Sequence, residues 1–325
     1  MKQIICKQIL DEANLKELEG NFLSDKYIKY HITEDTKIVN EKGEPIAVFK
    51  KNAVHKDILD KVRPSFRKSI RMSNNRATAA GPLPDLKRGD KFEGLTVGVV
   101  EKNRFFPLVN GKLSKSPKGR AVASSIIGFS DRYPRIPYCR RTIFTQKNWL
   151  HYNNCLPYIK EVDNFFKKYL PERYKIQKKM CEKTSKDFVI KDTAFSTVTV
   201  NKNFRTASHY DAGDLKEGFG NLGVLSLGEY EGSITVIPKY GIGLDLKDGD
   251  LALFDVHELH GNTELKKKGW YERISVVCYY REKMIYCGNA EYELNRAKTN
   301  TKKVATEEEL RKGNAIRNEI LSCAE

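Results

Sequence analysis

The chain has 325 residues, 40% of them hydrophobic, and 58 Lys and Arg against 42 Asp and Glu give it a formal charge of +16. It is long and apolar enough to bury a sizeable core, as one elaborated domain or two intimate ones. No apolar run approaches the ~18 residues of a membrane span, and Met1-Lys2-Gln3-Ile4-Ile5-Cys6 is too short and mixed for a signal peptide, so no membrane partner is expected.

Residues 1–60 read as an N-terminal α/β extension, ahead of a main domain over 61–294. Lys61, Arg63, Arg67, Lys68 and Arg71 mark a basic helical stretch over 61–72 with Phe66 and Ile70 inward, broken by Gly81-Pro82 and Leu83-Pro84. From 104 to 141, Arg104, Lys112, Lys115, Lys118, Arg120, Arg132, Arg135, Arg140 and Arg141 are interleaved with Phe105, Phe106, Phe129, Tyr133 and Tyr138. Such a mixture suits a channel that follows a phosphate backbone and stacks bases. Leu150, Leu156, Ile159, Val162, Phe166 and Leu170 keep a near-helical period, which predicts a helix over 149–170 packed on a sheet.

Short β-branched or apolar runs follow at 222–227, 232–238, 249–254 and 274–280, punctuated by Gly, Asn and Asp turn signals. Regular short strands of this kind predict an α+β protein with a jelly-roll, or double-stranded β-helix, core at 190–285 and supporting helices. Residues 295–305 read as a flexible connector, and Thr306-Glu307-Glu308-Glu309 opens a last helix ending near Cys323 with a capping-box pattern. The seven cysteines, at 6, 139, 155, 181, 278, 287 and 323, are odd in number and form no Cys-x-x-Cys pair. Neither a disulfide framework nor a zinc site is expected from them, and a reducing, intracellular compartment is.

The chemistry is concentrated at His209-Tyr210-Asp211. His-x-Asp places an imidazole and a carboxylate on one side of a strand, and a later histidine closes a facial triad that holds Fe(II) with three positions open. Three of the six histidines (His209, His257, His260) fall in this segment. His257 and His260 are three apart, so on a strand they face opposite ways and only one can be a ligand. Arg273 follows in a β-rich run, where its planar fork suits the far carboxylate of a bidentate keto-acid. Together these residues point to a dioxygenase using Fe(II), 2-oxoglutarate and O₂.

His209-Tyr210-Asp211-Ala212-Gly213-Asp214, Gly218-Phe219-Gly220-Asn221-Leu222, Tyr230-Glu231-Gly232 and residues 257–263 (HELHGNT) resemble the catalytic core of the TET and J-binding-protein oxygenases. Residues 75–82 (NRATAAGP) and 138–145 (YCRRTIFT) extend the likeness to the J-binding-protein branch. The resemblance implies His260 as the distal metal ligand, leaving His257 packed beside the site. It also implies Arg273 and Ser275 at the C5 carboxylate of 2-oxoglutarate. Arg76, Arg140 and Arg205 are candidates for its C1 carboxylate.

The activity implied is hydroxylation of the 5-methyl group of thymine in DNA to 5-hydroxymethyluracil. Asp214, Tyr279 and Arg281 then face the flipped base: an ionised Asp214 accepts N3–H, and Arg281 donates to a carbonyl. Oxidation of 5-methylcytosine in DNA is the alternative, since a carboxylate also accepts from N4–H₂. Oxidation of a protein or small molecule is a third possibility within the fold. With DNA as partner, the nucleus of a eukaryote or the cytoplasm of a prokaryote or phage is the expected place. The cysteine-rich region of animal TET enzymes is missing, and there is no obvious room for a separate modified-base reader.

Overall fold

The computed structural model describes residues 1–299 and 303–322. Cys323 and the middle of the expected connector lie outside them. Short β-branched and apolar runs, some alternating with polar residues and some continuous, produce the strands in chain order. They begin with β1 (Lys2–Ile5), β2 (Tyr30–Ile32), β3 (Thr36–Val39) and β4 (Pro45–Lys50). A run of short strands follows: β5 (Met72–Ser73), β6 (Lys91–Phe92), β7 (Leu95–Glu101), β8 (Arg104–Val109) and β9 (Lys112–Leu113). Next come β10 (Val122–Ser130), β11 (Arg140–Arg141), β12 (Thr197–Lys202) and the long β13 (Gly220–Gly232). The last are β14 (Thr235–Ile237), β15 (Ile242–Leu244), β16 (Leu251–Phe254), β17 (Gly261–Asn262) and β18 (Leu265–Tyr279).

The major sheet runs β1-β3-β4-β16-β13-β18-β12-β10-β11, with β5 also paired to β10. The minor sheet runs β17-β14-β15-β2, and a third, β6-β7-β8-β9, stands apart. Side chains on the major sheet sort by the two-residue period of a strand. Val198, Val200, Ile274, Val276 and Cys278 enter the core shared with the helices. Leu222, Val224, Ala252 and Phe254 face the minor-sheet residues Ile237, Ile242 and Leu244. Two sheets enclosing a core, one backed by helices, are the jelly roll expected. The interleaved Thr199, Asn201, Arg273, Ser275, Val277 and Tyr279 line a cavity instead.

Helices α1 (Glu12–Leu18), α2 (Lys56–Ser69), α3 (Ile143–Lys147), α4 (Trp149–Tyr169), α5 (Pro171–Lys183), α6 (Ala290–Lys298) and α7 (Glu307–Ser322) complete the fold. The 149–170 periodicity becomes α4, whose Cys155, Tyr158, Ile159, Val162 and Phe166 are buried in the helix-side core. The capping box at α7 is reciprocal: Glu309 N–H donates to Thr306 Oγ1 and Thr306 N–H to Glu309 Oε2.

Four features depart from the sequence reading. Residues 1–60 do not stand outside the main domain, because β1, β3 and β4 extend the major sheet and β2 pairs with β15 of the minor one. The basic helix starts earlier and ends at Ser69, one residue before Ile70 turns extended, not at Gly81-Pro82. Part of the 295–305 stretch is helical in α6, where buried Arg296 donates to the carbonyl of Pro137. Finally, Cys139 and Cys287 form a disulfide across a sequence separation of 148. No local spacing could show that pair, and it removes the cysteine-based ground for a reducing compartment. Cys6, Cys155, Cys181 and Cys278 are free and buried.

Candidate active site

Residues 209–215 are tied at both ends. His209 and His260 exchange backbone hydrogen bonds of 2.9 and 3.1 Å, an isolated antiparallel bridge beside β17. The close approach requires Gly261, since a Cβ there would lie 2.9 Å from the amide nitrogen of Ser208. At the other end, Leu215 N–H donates to Tyr280 O and Glu282 N–H to Gly213 O, which bridges Asp214 to Arg281. One short segment therefore carries side chains to two walls of the same cavity.

His209, Asp211 and His260 present ligand atoms that all lie within 4.8 Å of one another. His209 Nδ1–H donates to the carbonyl of Ala207 at 2.8 Å and His260 Nδ1–H to that of Glu258 at 3.0 Å. Both bonds hold Nδ1 on the backbone and turn Nε2 inward, the nitrogen a metal would take. Burial and neighbouring His209 push the His260 imidazole down to about 4, which keeps it in the neutral, ligating form. Burial raises the Asp211 carboxyl, but the His209 hydrogen bond and the charges of His260, His209 and Arg76 outweigh it and hold it ionised. Two imidazoles presenting Nε2 and a carboxylate are a donor set suited to Fe(II).

His257 turns away from this cluster. Its Nδ1 bonds Asp255 Oδ1 at 3.0 Å, and its Nε2 lies 3.5 Å from the carbonyl of Asp214. The structure thus brings His260, not His257, to His209 and Asp211.

Arg273 is 4% exposed, and its Nε and Nη2 have no hydrogen-bond partner. Leaving a buried guanidinium unpaired costs several kcal/mol, and an anion bound there would complete it. Ser275 lies two residues along β18 on the same face, and both line the cavity with the triad. Of the three arginines considered for a second carboxylate, only Arg76 also lines it, with Nε held by Ser124 Oγ at 2.8 Å. Arg140 is spent on the carbonyls of Asp131 and Tyr138 and stacks on Tyr133. Arg205 donates to the Leu23 carbonyl and stacks on Phe22.

The cavity has a volume of about 190 Å³, and Asp214, Tyr279 and Arg281 line it. The Tyr279 hydroxyl bonds Thr199 Oγ1 at 3.1 Å, and Arg281 Nε donates to Asp131 Oδ1 at 2.7 Å. Asp214 differs from expectation in its charge. Burial and the Asp211 carboxylate push its carboxyl well above the usual range, toward the neutral acid, which donates as well as accepts.

Sequence reasoning passed over Thr199 and Asn201, although polar residues alternating with Val198 and Val200 are a period-2 signal of a polar-lined face. Nothing local marked Asp131. In the basic, aromatic 104–141 region, Arg132 is 1% exposed and bound to Glu293 and Glu309. Arg104 pairs with Glu101, and Phe105 is fully buried. Arg132 and Phe105 serve the fold, while Arg104, Lys112, Lys115, Arg120, Arg135 and Arg141 remain exposed.

Residues 125–282 match the TET/JBP family, the oxygenase domain of the 2OGFeDO superfamily. These residues belong to that family. The chain is 31% identical over 267 residues to the bifunctional helicase and thymine dioxygenase JBP2 of Trypanosoma brucei brucei, covering 81% of this chain and 21% of that protein. It is 38% identical over 170 residues to the thymine dioxygenase JBP1 of the same organism, covering 50% of this chain and 20% of that one. The chain therefore spans about a fifth of the length of these relatives. Its fold matches NgTET1 in complex with 5mC DNA with a TM-score of 0.50 at 10% identity, covering 83% of this chain and 86% of the other. The domain is thus a 2-oxoglutarate and Fe(II) oxygenase in fold, and the His-Asp-His cluster fits the iron that the superfamily uses.

Proposed function

We propose that this chain hydroxylates the 5-methyl group of thymine in DNA, using Fe(II), 2-oxoglutarate and O₂. The observation that carries the dioxygenase reading is the unpaired, buried Arg273 fork in the same cavity as His209, Asp211 and His260. His209, Asp211 and His260 would hold the metal. Arg273 and Ser275 would grip the far carboxylate of 2-oxoglutarate, and Arg76, which lines the same cavity, would meet the near one. Bound together, Fe(II), 2-oxoglutarate and O₂ supply the oxidant that replaces a methyl C–H with C–OH, with loss of CO₂ and formation of succinate. The side chains orient the methyl group and exclude water from it.

Thymine is favoured by the named activity of the relatives and by the Asp214, Tyr279 and Arg281 wall. A neutral Asp214 accepts from N3–H and donates to a carbonyl, while the Arg281 fork donates to a second acceptor. The raised Asp214 carboxyl also supports a second reading, 5-methylcytosine, since a neutral acid can accept from N4–H₂ and donate to N3. The charge of +16 and the exposed Lys and Arg of the 112–141 region suit a phosphate backbone. An enzyme acting on DNA would work in the nucleus of a eukaryote or the cytoplasm of a prokaryote. Among the described residues no helix is long and apolar enough to cross a membrane.

Succinate release by the purified protein with Fe(II) and 2-oxoglutarate, with and without DNA, tests this reading. Release stimulated by DNA and abolished by a chelator is expected. Release that ignores DNA would direct the activity to a protein or small molecule, and no release at all would remove the enzyme.

A further inference from the structure

Arg281 meets the cavity with a fork whose orientation is set from behind. Its Nε donates to Asp131 at 2.7 Å, its backbone N–H donates to Ser196 Oγ at 3.1 Å, and no hydrogen bond engages its Nη groups among the described residues. The guanidinium is planar and rigid, so fixing Nε fixes the plane in which the Nη donors lie. On the other side Nη2 packs over Gly213, where φ is +97° and a Cβ would sit 3.1 Å from it. Asp131 is 4% exposed. It lies 150 residues from Arg281 in sequence and is absent from the cavity lining.

The segment carrying Asp131 is clamped. Adjacent Arg132 is buried against Glu293 of α6 and Glu309 of α7. Cys139 N–H donates to Glu293 Oε2 at 2.7 Å, and the Cys139 sulfur is bonded to Cys287. The C-terminal helices therefore hold the loop that holds Arg281. Asp131 also gives Arg281 a counter-ion away from the cavity, so Arg281 need not pair with Asp214.

We infer that Asp131 is a specificity-determining positioning residue: it aims the Arg281 Nη donors at the substrate and keeps Arg281 from collapsing onto Asp214. This rests on the reading of Arg281 as base-facing. A charge-assisted bond fixes the fork, and losing it should lower kcat/KM for DNA on the order of tenfold to a hundredfold. The cosubstrate side of the cavity should be unaffected.

The test compares Asp131→Asn, Asp131→Glu, Arg281→Ala and Asp131→Asn/Arg281→Ala in the full chain, on DNA carrying both thymine and 5-methylcytosine. The expected results are a loss of oxidised base in Asp131→Asn and a changed thymine to 5-methylcytosine product ratio. DNA-free succinate release and the KM for 2-oxoglutarate should stay unchanged, and the double variant should be no worse than Arg281→Ala. Asp131→Glu keeps the charge but displaces it by one methylene, so an intermediate loss is expected. This second variant decides the matter if Asp131→Asn does not fold. Wild-type product yield and ratio in the folded Asp131 variants, with Arg281→Ala impaired, would overturn the inference alone. So would a parallel loss of DNA-free succinate release, which marks a structural role. Wild-type yield in Arg281→Ala would remove the base-facing reading and this inference with it.

Discussion

The two walls of the cavity are built differently. The wall proposed to hold metal and cosubstrate comes from β-structure: His209 and His260 share a bridge, and Arg273 and Ser275 sit on one face of the fifteen-residue β18. The sheet's register places these groups, and helices back it from behind. The wall proposed to face the base comes from segment ends. Asp214 lies after the bridged loop, and Arg281 lies just past β18, bonded to Asp131 in a segment held by a disulfide and two C-terminal helices. A sheet-borne wall changes little when loops vary, whereas a loop-borne wall can alter its substrate without disturbing the fold. On the proposed assignment, chemistry is fixed at one end of the cavity and selectivity adjustable at the other.

The strongest blow to the comparison falls on the metal wall. His209→Ala, Asp211→Ala or His260→Ala should each reduce succinate release more than about a hundredfold, since even residues that support a ligand contribute 10–100-fold. Thermal unfolding should show a folded protein. His257→Ala should keep measurable activity, because His257 braces the Asp214 backbone and not the metal. Complete loss at 257 with activity kept at 260 would exchange the two histidines.

Next in size is the cosubstrate grip. Arg273→Lys should raise the KM for 2-oxoglutarate on the order of tenfold or more, with the KM for DNA unchanged, because an ammonium cannot replace the planar fork. An unchanged 2-oxoglutarate KM would take Arg273 out of that role.

Asp214 sharpens the contrast through pH. Its carboxyl is raised, so it is neutral at low pH and ionises only as pH climbs. The neutral acid can pair with either base, while the ionised form repels the N3 lone pair of 5-methylcytosine. The thymine preference should therefore increase with pH. Asp214→Asn, which cannot ionise, should show a flat ratio shifted toward 5-methylcytosine. A ratio independent of pH in the unmutated protein would remove Asp214 from base recognition.

The smallest effect concerns support. Glu272 is 4% exposed and binds Arg67 of α2 and Lys202 of β12 behind Arg273. Burial raises its carboxyl, but Arg67 and Lys202 overcome this and hold it below its ordinary value. Its contribution is therefore fully present above the unfolded value of about 4.3 and is lost as pH falls through the lower folded one. Glu272→Gln should destabilise the fold by roughly 1–3 kcal/mol at neutral pH. The difference should shrink on acidification, with the 2-oxoglutarate KM intact. An equal difference at all pH values would show packing, not charge, at that position.

The same division governs what was legible in the sequence. His-x-Asp, the later histidines and Arg273 are local or share one β-run, so residue type and spacing reveal them. The short apolar and β-branched runs at 222–227, 232–238, 249–254 and 274–280 announced the jelly roll for the same reason. Spacing alone left His257 and His260 open; the resemblance pointed to His260, and the backbone bridge to His209 brings that residue to Asp211. Asp131, the Cys139–Cys287 bond and the Arg132–Glu293 pair join segments about 150 residues apart, where no periodicity carries the signal. Residues 1–60 looked separate because strands added to a sheet edge resemble independent strands until their partners are known.

The central claim, that this cavity oxidises the methyl group of thymine in DNA, is tested most directly by nucleoside mass spectrometry. DNA carrying thymine and 5-methylcytosine would be incubated with the purified protein, Fe(II) and 2-oxoglutarate, then digested. The predicted result is 5-hydroxymethyluracil, formed in preference to oxidised 5-methylcytosine and absent in Asp211→Ala. Preferential loss of 5-methylcytosine would contradict the thymine assignment while leaving the dioxygenase in place. Succinate release without any oxidised base would contradict the DNA substrate itself.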